Sequence, residues 1–307
     1  FSLSRGLGDV YKRQIYALVE GGVSPVIMDS EMNFLEEEPF PAADNKRFTA
    51  HPKIDSDTGE MHAVSYDFGE YVNGLGQIHY VTIDSNGKLI KDQIIETPSR
   101  PMVHDCAITK NYVLIFDLPV TFNLGRRDDD NNPIGGDYPV VWNDKHTSRV
   151  GLQNKKTDEI IWIEVNPGFL FHIVNSYEND NDQVVLDFCR YERLFDFDNP
   201  LPMGQKPFLT RWILDPKTKT CSEEMLDDRP MEFSRVHPDF DGKQHRFGYL
   251  LNDGRLNNYF KHDFEKSETI AHDFGESCQA AEPVFIPRKN AKSEDDGFVV
   301  GFVYDKT

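Results

Sequence analysis

Three histidines, His51, His104 and His172, each sit in a short apolar, strand-prone segment: FTAHPKI, PMVHDCAI and GFLFHIVN. Neutral imidazole is the commonest protein ligand for a transition metal, so the pattern points to a metal centre. The spacings of 53 and 68 residues exclude a local loop site and a helix-borne HExxH site. Taken singly, a histidine in an apolar strand is more often a hydrogen-bonded core residue than a ligand. Residues this far apart meet only where a closed, repetitive β fold brings distant strand ends to one place.

The elements around them read as strands. Runs rich in Val, Ile, Phe and Tyr recur along the chain, among them IYALVE, MHAVSYDF, QIHYVTID, NYVLIFDL, EIIWIEV, QVVLDFC, FLTRWIL, RFGYLLN and GFVVGFVY. Helical periodicity is nowhere sustained over three turns, which makes the fold class all-β. IDSNGKLIKDQII, LQNKKTDEIIWIEV, LDPKTKTCSEEML and KHDFEKSETIAHDF each read as strand, polar turn, strand. Hairpins that return at regular intervals predict repeated antiparallel sheets, which close most economically as a β-propeller around a central channel. About twenty strand candidates are too many for one ordinary sandwich. The polar stretches 125–138 and 196–206 are expected as excursions over one face of the propeller, where loops carry substrate contacts.

Composition narrows the partners. The 33 basic against 52 acidic residues give a formal charge of −19, which argues against a nucleic-acid backbone. Four cysteines, Cys106, Cys189, Cys221 and Cys278, lack CxxC spacing, and free thiols in a reducing, cytoplasmic setting are expected. No apolar run reaches the roughly 18 to 20 residues of a membrane-spanning helix, and no signal peptide is visible. Peripheral membrane contact stays open. Residues 1–14, FSLSRGLGDVYKRQ, are basic and glycine-interrupted and read as a non-native leader. The remainder, 15–307, is read as one partial domain, an internal fragment.

With their flanks the histidines say more. FTAHPKID, RPMVHDCAITKNYVLIFDLP, and NPGFLFHIVNSYE followed by QVVLDFCRY closely resemble, in this order, the histidine motifs of the carotenoid cleavage oxygenase family. That family also includes stilbene-cleaving enzymes and retinoid isomerases. ALVEGGVSPVIMD, MEFSRVHP, and EPVFIPR followed by EDDGFVVGFVYD match its other landmarks, so the resemblance covers Ile15 to Thr307. It implies a seven-bladed β-propeller, incomplete in this chain, with a non-haem Fe(2+) on its axis. Of the four histidine ligands implied, three map to His51, His104 and His172. The resemblance further implies that Glu20, Glu232 and Glu282 accept hydrogen bonds from the ligand histidines. A carboxylate in that position fixes the imidazole tautomer and raises its basicity. The implied reaction is cleavage by O2 of a conjugated C=C bond in a carotenoid or apocarotenoid, giving two carbonyl products. An apolar tunnel would select the bond that reaches the metal.

The resemblance has one departure: the fourth histidine belongs to a motif beyond EPVFIPR and EDDG, and no histidine follows His272. Weak iron binding and poor activity are therefore expected of this chain by itself. A stilbene-cleaving dioxygenase, an isomerase, or a catalytically incomplete propeller serving as a binding module remain alternatives. Among the other histidines, His62 and His79 fall in alternating strands outside the family motifs, and His237 follows EFSRV. His146, His245, His262 and His272 have polar sequence neighbours and are expected at the surface. The acidic run 128–130 lacks EF-hand spacing and reads as a solvated loop. There is no GxSxG elbow, no Walker A loop and no GxGxxG after a strand.

Overall fold

Hairpins carry the chain from one small antiparallel sheet to the next. The computed structural model describes residues 15–18, 25–37, 48–66, 76–122, 139–196 and 205–307. Among these the only helical element is a single 3-10 turn, Pro238–Phe240, and no helix is long and apolar enough to cross a membrane. Each of the four polar turns expected from sequence joins two paired strands: Gly76–Ile83 with Leu89–Thr97, Arg149–Asn154 with Ile160–Glu164, Phe208–Asp215 with Thr220–Val236, and Asn258–Asp263 with Glu268–Asp273. Their Asp and Asn side chains accept hydrogen bonds from backbone N–H groups two to four residues on. Asp84 Oδ1, for example, accepts from Asn86 and Lys88 at 2.8 and 2.9 Å.

The sheets follow one another in sequence order. Ile15–Ala17, Val26–Met28 and Phe34–Glu37 form a 3-stranded sheet. Lys53–Ile54, Met61–Tyr66, Gly76–Ile83 and Leu89–Thr97 form a 4-stranded sheet, the second. In the third, also 4-stranded, Ala107–Ile108, Tyr112–Asp117, Arg149–Asn154 and Ile160–Glu164 pair in that order, and a ribbon of Val120–Phe122 and Val140–Trp142 projects between two of them. The fourth contains Phe169–Glu178, Val184–Tyr191, Phe208–Asp215 and the first part of Thr220–Val236. That last strand runs on: Thr220–Met225 pairs back in the fourth sheet, whereas Met231–Val236 opens a fifth with Phe247–Asn252, Asn258–Asp263 and Glu268–Asp273. Two ribbons follow, Cys278–Ala280 with Val303–Asp305 and Val284–Pro287 with Gly297–Val300.

Burial orders the strands within each sheet. Middle strands are fully buried, as at Val64, Tyr80, Leu114, Leu152, Leu186 and Leu214, each 0% exposed. The last strands alternate toward solvent, with Ile90, Ile94 and Ile270 exposed. The first strands are the inner ones, because the residues at their beginnings converge, as described below. One continuous core runs between the second, third and fourth sheets, from Ile78 and Tyr80 through Leu114 and Phe116 to Phe188 and Trp212. A smaller cluster of Val174, Cys189, Met231, Leu250 and Phe260 joins the fourth to the fifth.

Polar contacts tie the sheets together at one end. Asn175 of the fourth sheet donates from Nδ2 to the carbonyls of Phe240 and Lys243, both at 2.8 Å, and its Oδ1 accepts from Gly242 N at 3.0 Å. Ser56 and Asp57 of the second sheet's first turn reach the same loop through Ser56 Oγ to Asp239 O at 3.1 Å and Lys243 Nζ to Asp57 Oδ1 at 2.6 Å. The turn at 238–243 thereby links the starts of the sheets that bring the candidate residues together.

Several expectations change. His245 and His262 are buried rather than at the surface, and the His146 side chain is only 3% exposed. The charged neighbours in sequence point the other way and pair among themselves, Arg246 with Asp263 at 2.7 Å and Lys261 with Asp295 at 2.6 Å. His245 and His262 turn inward, each in edge contact with Phe264 at 4.6 Å between ring centroids. His272 is exposed as expected. The run GFVVGFVY is two strands, not one, and it breaks at Gly301, where a Cβ would lie 1.9 Å from the Tyr259 hydroxyl. All four cysteines are free, with Cys106 and Cys189 buried. Segments 1–14 and 128–130 and the stretch 125–138 lie outside the described residues, as does most of 196–206.

His62 lies in the second sheet, 1% exposed, with Nδ1 3.0 Å from the Tyr80 hydroxyl. Burial, helped by the Lys155 charge, pushes its imidazole down to about 3 from an ordinary 6.5. Because the folded value is lowered, the unfolded chain binds the proton first, so stability is lost as pH falls from 6.5 toward 3. In denaturant titrations at a series of pH values, His62→Asn is expected to flatten that loss by up to about 1.4 kcal/mol per pH unit. An unchanged slope would show that His62 does not stay neutral on folding.

Candidate metal centre

The residues that begin successive sheets arrive at one point. His51 and His104 lie in extended segments just ahead of the strands Lys53–Ile54 and Ala107–Ile108, rather than inside strands. His172 lies within Phe169–Glu178, where the register shifts between Leu170 and Ile173. Glu232 begins the inner strand of the fifth sheet, and its ladder shifts register between Glu232 and Arg235. A bulge re-aims a side chain that regular alternation would send elsewhere. At the second of these, Phe233 takes a φ of 53°, a left-handed value that a bulky residue adopts only when its surroundings hold it there.

One potential ligand atom from each of His51, His104 and His172 falls within a common 4.8 Å. Ring centroids are 4.6 Å apart for His51 and His104, 5.1 Å for His51 and His172, and 5.0 Å for His104 and His172. The Nε2 atoms of His104 and His172 stand 3.4 Å from each other. His51 and His172 are buried, and His104 is half-buried.

Electrostatics keep the buried rings uncharged. Desolvation, reinforced by the neighbouring imidazoles, holds His51 well below its ordinary value and brings His172 down to about 3. His172 Nδ1 is hydrogen-bonded to Glu232 Oε2, which also accepts from Phe233 N at 2.5 Å. Burial pushes the Glu232 carboxyl up to about 8, so in the absence of a neighbouring cation the pair is favoured in its uncharged form. A cation facing Nε2 reverses that preference: it favours the carboxylate, with Nδ1–H donating and the Nε2 lone pair free.

The donor set fits a transition-metal ion. Three imidazoles converge, one carries a carboxylate on its far nitrogen, and His51 Nδ1 is buried without a hydrogen-bond partner among the described residues.

The three expected carboxylates are not placed alike. Glu232 sits on His172. The Glu282 carboxylate accepts from Arg235 at 2.5 Å, and no bond to His51, His104 or His172 is seen. Glu20 lies outside the described residues. His237 meets Phe240 edge-on and Phe285 at a tilt, with ring centroids 5.2 and 5.1 Å away, and its Nδ1 accepts from Asp239 N at 3.1 Å.

Sequence reasoning missed the aromatic residues around the imidazoles and the arginine beside them. Phe171 stands edge-on to His104 at 5.1 Å and continues into Phe169, Tyr191 and Phe195. Phe233 covers His172 at 4.9 Å. A signal was present, since GFLFHIVN and MEFSRV place a phenylalanine beside each of His172 and Glu232. Arg235 lines a cavity of about 710 Å³ that also touches His51, Lys53, Met61, Ile173 and Phe285.

The chain is similar to known proteins over most of its length. A family model described as retinal pigment epithelial membrane protein matches residues 10–307, starting within the segment read as a leader. A carotenoid cleavage oxygenase from Mycobacterium tuberculosis is 30% identical over 93% of this chain and 66% of its own length. Among solved structures, a mutant of the Synechocystis apocarotenoid oxygenase superposes with a TM-score of 0.82 at 25% identity, covering 97% of this chain and 65% of that one. The lignostilbene dioxygenase of Pseudomonas brassicacearum gives 0.81 at 26% identity, covering 95% and 65%. The chain thus spans about two thirds of the length of these relatives, and its sheets are blades of the same seven-bladed β-propeller.

Replacing Glu232 by Gln keeps the shape while removing the charge that favours a metal-ready His172. Titration with Co(II) followed by its visible absorption is expected to show affinity about 10- to 100-fold lower in Glu232→Gln. Equal affinity would separate Glu232 from metal binding.

Proposed function

Because the chain belongs to the carotenoid cleavage oxygenase family, we propose that it serves a non-haem ferrous dioxygenase that cuts a conjugated C=C bond of a carotenoid or apocarotenoid with O2, giving two carbonyl products. The observation that carries this reading is the meeting of His51, His104 and His172, with Glu232 on the far side of His172. These three histidines are the residues that would hold the iron. When bound, the ferrous ion supplies the site at which dioxygen is activated beside the alkene.

The chain's own side chains do the rest. Neutral imidazoles leave the ion its full charge, and the Glu232 carboxylate balances part of it. Burial of His51 and His172 keeps these two rings unprotonated, with their lone pairs available to a metal ion. Phe171, with Phe169, Tyr191 and Phe195 behind it, gives an apolar wall next to His104 against which a polyene packs with no polar group left unpaired. An apolar, extended substrate suits such a wall, and position along it would decide which double bond faces the iron.

A phenolic stilbene is the second reading, favoured by the likeness to the lignostilbene dioxygenase. Incubating the full-length protein, loaded with iron, with apocarotenoids and with stilbenes in parallel distinguishes the two. Aldehyde products from the polyene are expected, together with loss of about 100-fold or more of that activity in His104→Ala. Cleavage of stilbenes alone would reverse the substrate order. Full activity in His104→Ala, or a protein that takes up no stoichiometric Fe(II), would leave only a binding platform.

A further inference from the structure

The three imidazoles come from three different sheets, and the histidines alone do not explain how their backbones keep register with one another. A single carboxylate touches all three segments. Asp105 follows His104 directly, and its side chain is fully buried. Its Oδ1 accepts from Cys106 N at 2.7 Å, closing a turn on its own segment, and lies 2.9 Å from Lys53 Nζ, two residues after His51. Its Oδ2 accepts from Ile173 N at 3.2 Å, the residue after His172. Ile173 lies between two register shifts, so the bulge that re-aims His172 also turns this N–H toward Asp105. Cys106 Sγ adds a fourth tie, to the His51 carbonyl at 3.8 Å.

We propose that Asp105 is the positioning residue of the trihistidine site, fixing the His51, His104 and His172 segments to one another through Lys53, its own turn and Ile173. The inference rests on the reading of these histidines as metal ligands. It assigns Asp105 no contact with the metal or the substrate. A buried carboxylate is costly unless its oxygens are occupied by a cation and backbone N–H groups, and removing one partner leaves that cost uncompensated. Here those partners are the near neighbours of two other ligands, so the energy that satisfies the charge also fixes the spacing of the rings. Displacing one segment by a few tenths of an ångström would leave the carboxylate short of a partner. The cost is met at folding, before any ion arrives, and this is what pre-organises a ligand set.

Lys53 gives the arrangement a second function. It lines the 710 Å³ cavity beside His51, yet its ammonium is directed at Asp105 and its side chain is 12% exposed. The Asp105 carboxylate thereby engages the Lys53 ammonium while the aliphatic stem of Lys53 contributes to the cavity wall.

The test uses Co(II) as the probe on the full-length protein, reading dissociation constant and visible absorption for wild type, His104→Ala, Asp105→Asn, Lys53→Met and Asp117→Asn. Asp117 is an equally buried aspartate, paired with Arg149 at 2.8 Å in the third sheet, and it controls for simple loss of stability. Asp105→Asn is expected to weaken Co(II) binding about 10- to 100-fold and shift the absorption band, with Asp117→Asn unchanged in both readouts. Lys53→Met, which removes only the arm to the His51 segment, is expected to weaken binding by less, and it supplies the answer if Asp105→Asn does not fold. Wild-type affinity and spectrum in Asp105→Asn, or in Lys53→Met where only that variant folds, would overturn the role of Asp105 while leaving the metal reading intact. So would an equal loss in Asp117→Asn. Identical Co(II) binding by wild type and His104→Ala would overturn the metal reading itself, and the role of Asp105 with it.

Discussion

Bringing three imidazoles to one point, two of them buried and held uncharged, is the constraint on which the rest of this structure depends. Each ring loses solvation and gains little from the other two until a cation is shared, so the rings must be held there by groups that contribute no competing charge. The antiparallel sheets do this by placing their first strands around a common axis. The residues that begin those strands, at 51, 104 and 172, are the ones that meet, and Glu232 begins the next inner strand. Two ladder irregularities, at His172 and at Glu232, turn side chains out of strict alternation to complete the contact. The Phe233 backbone at φ 53° shows the cost of that turn, which surrounding packing has to offset.

Much of this was legible in the sequence, for physical reasons. Hairpins with Asp or Asn at the turn announce themselves because the side chain closes the turn locally, with no help from the fold. The histidine segments were legible because an apolar flank around a polar group signals burial. What depends on partners far away in sequence was not. His245 and His262 read as surface residues because Arg246, Lys261 and Asp263 surround them in sequence, whereas in space those charges pair off and leave the rings inside. The close approach that leaves room only for glycine at Gly301, in the break of GFVVGFVY, comes from the Tyr259 hydroxyl, about forty residues upstream in sequence. Glu282 was placed by motif next to a histidine, and its described partner is Arg235.

The candidate site shows the same division. The proposed ligand histidines and Glu232 follow from the motifs that contain them. The aromatic wall beside His104 and the buried contacts of Asp105 follow only from the way the third and fourth sheets pack. The sequence does carry a trace of the latter: in PMVHDCAI an aspartate sits in an otherwise apolar run, where an unpaired charge would be prohibitive. A charged residue in such a setting implies a partner, and the fold identifies it as Lys53, next but one to His51.

The central claim is that imidazoles from separate sheets form one metal site. X-ray absorption at the iron edge of the anaerobically Fe(II)-loaded protein tests it most directly. The account predicts a first shell dominated by imidazole nitrogens, with the outer-shell multiple scattering of histidine rings, weakened by one ring in His172→Ala. A shell of oxygen donors alone, identical in wild type and His172→Ala, would contradict it.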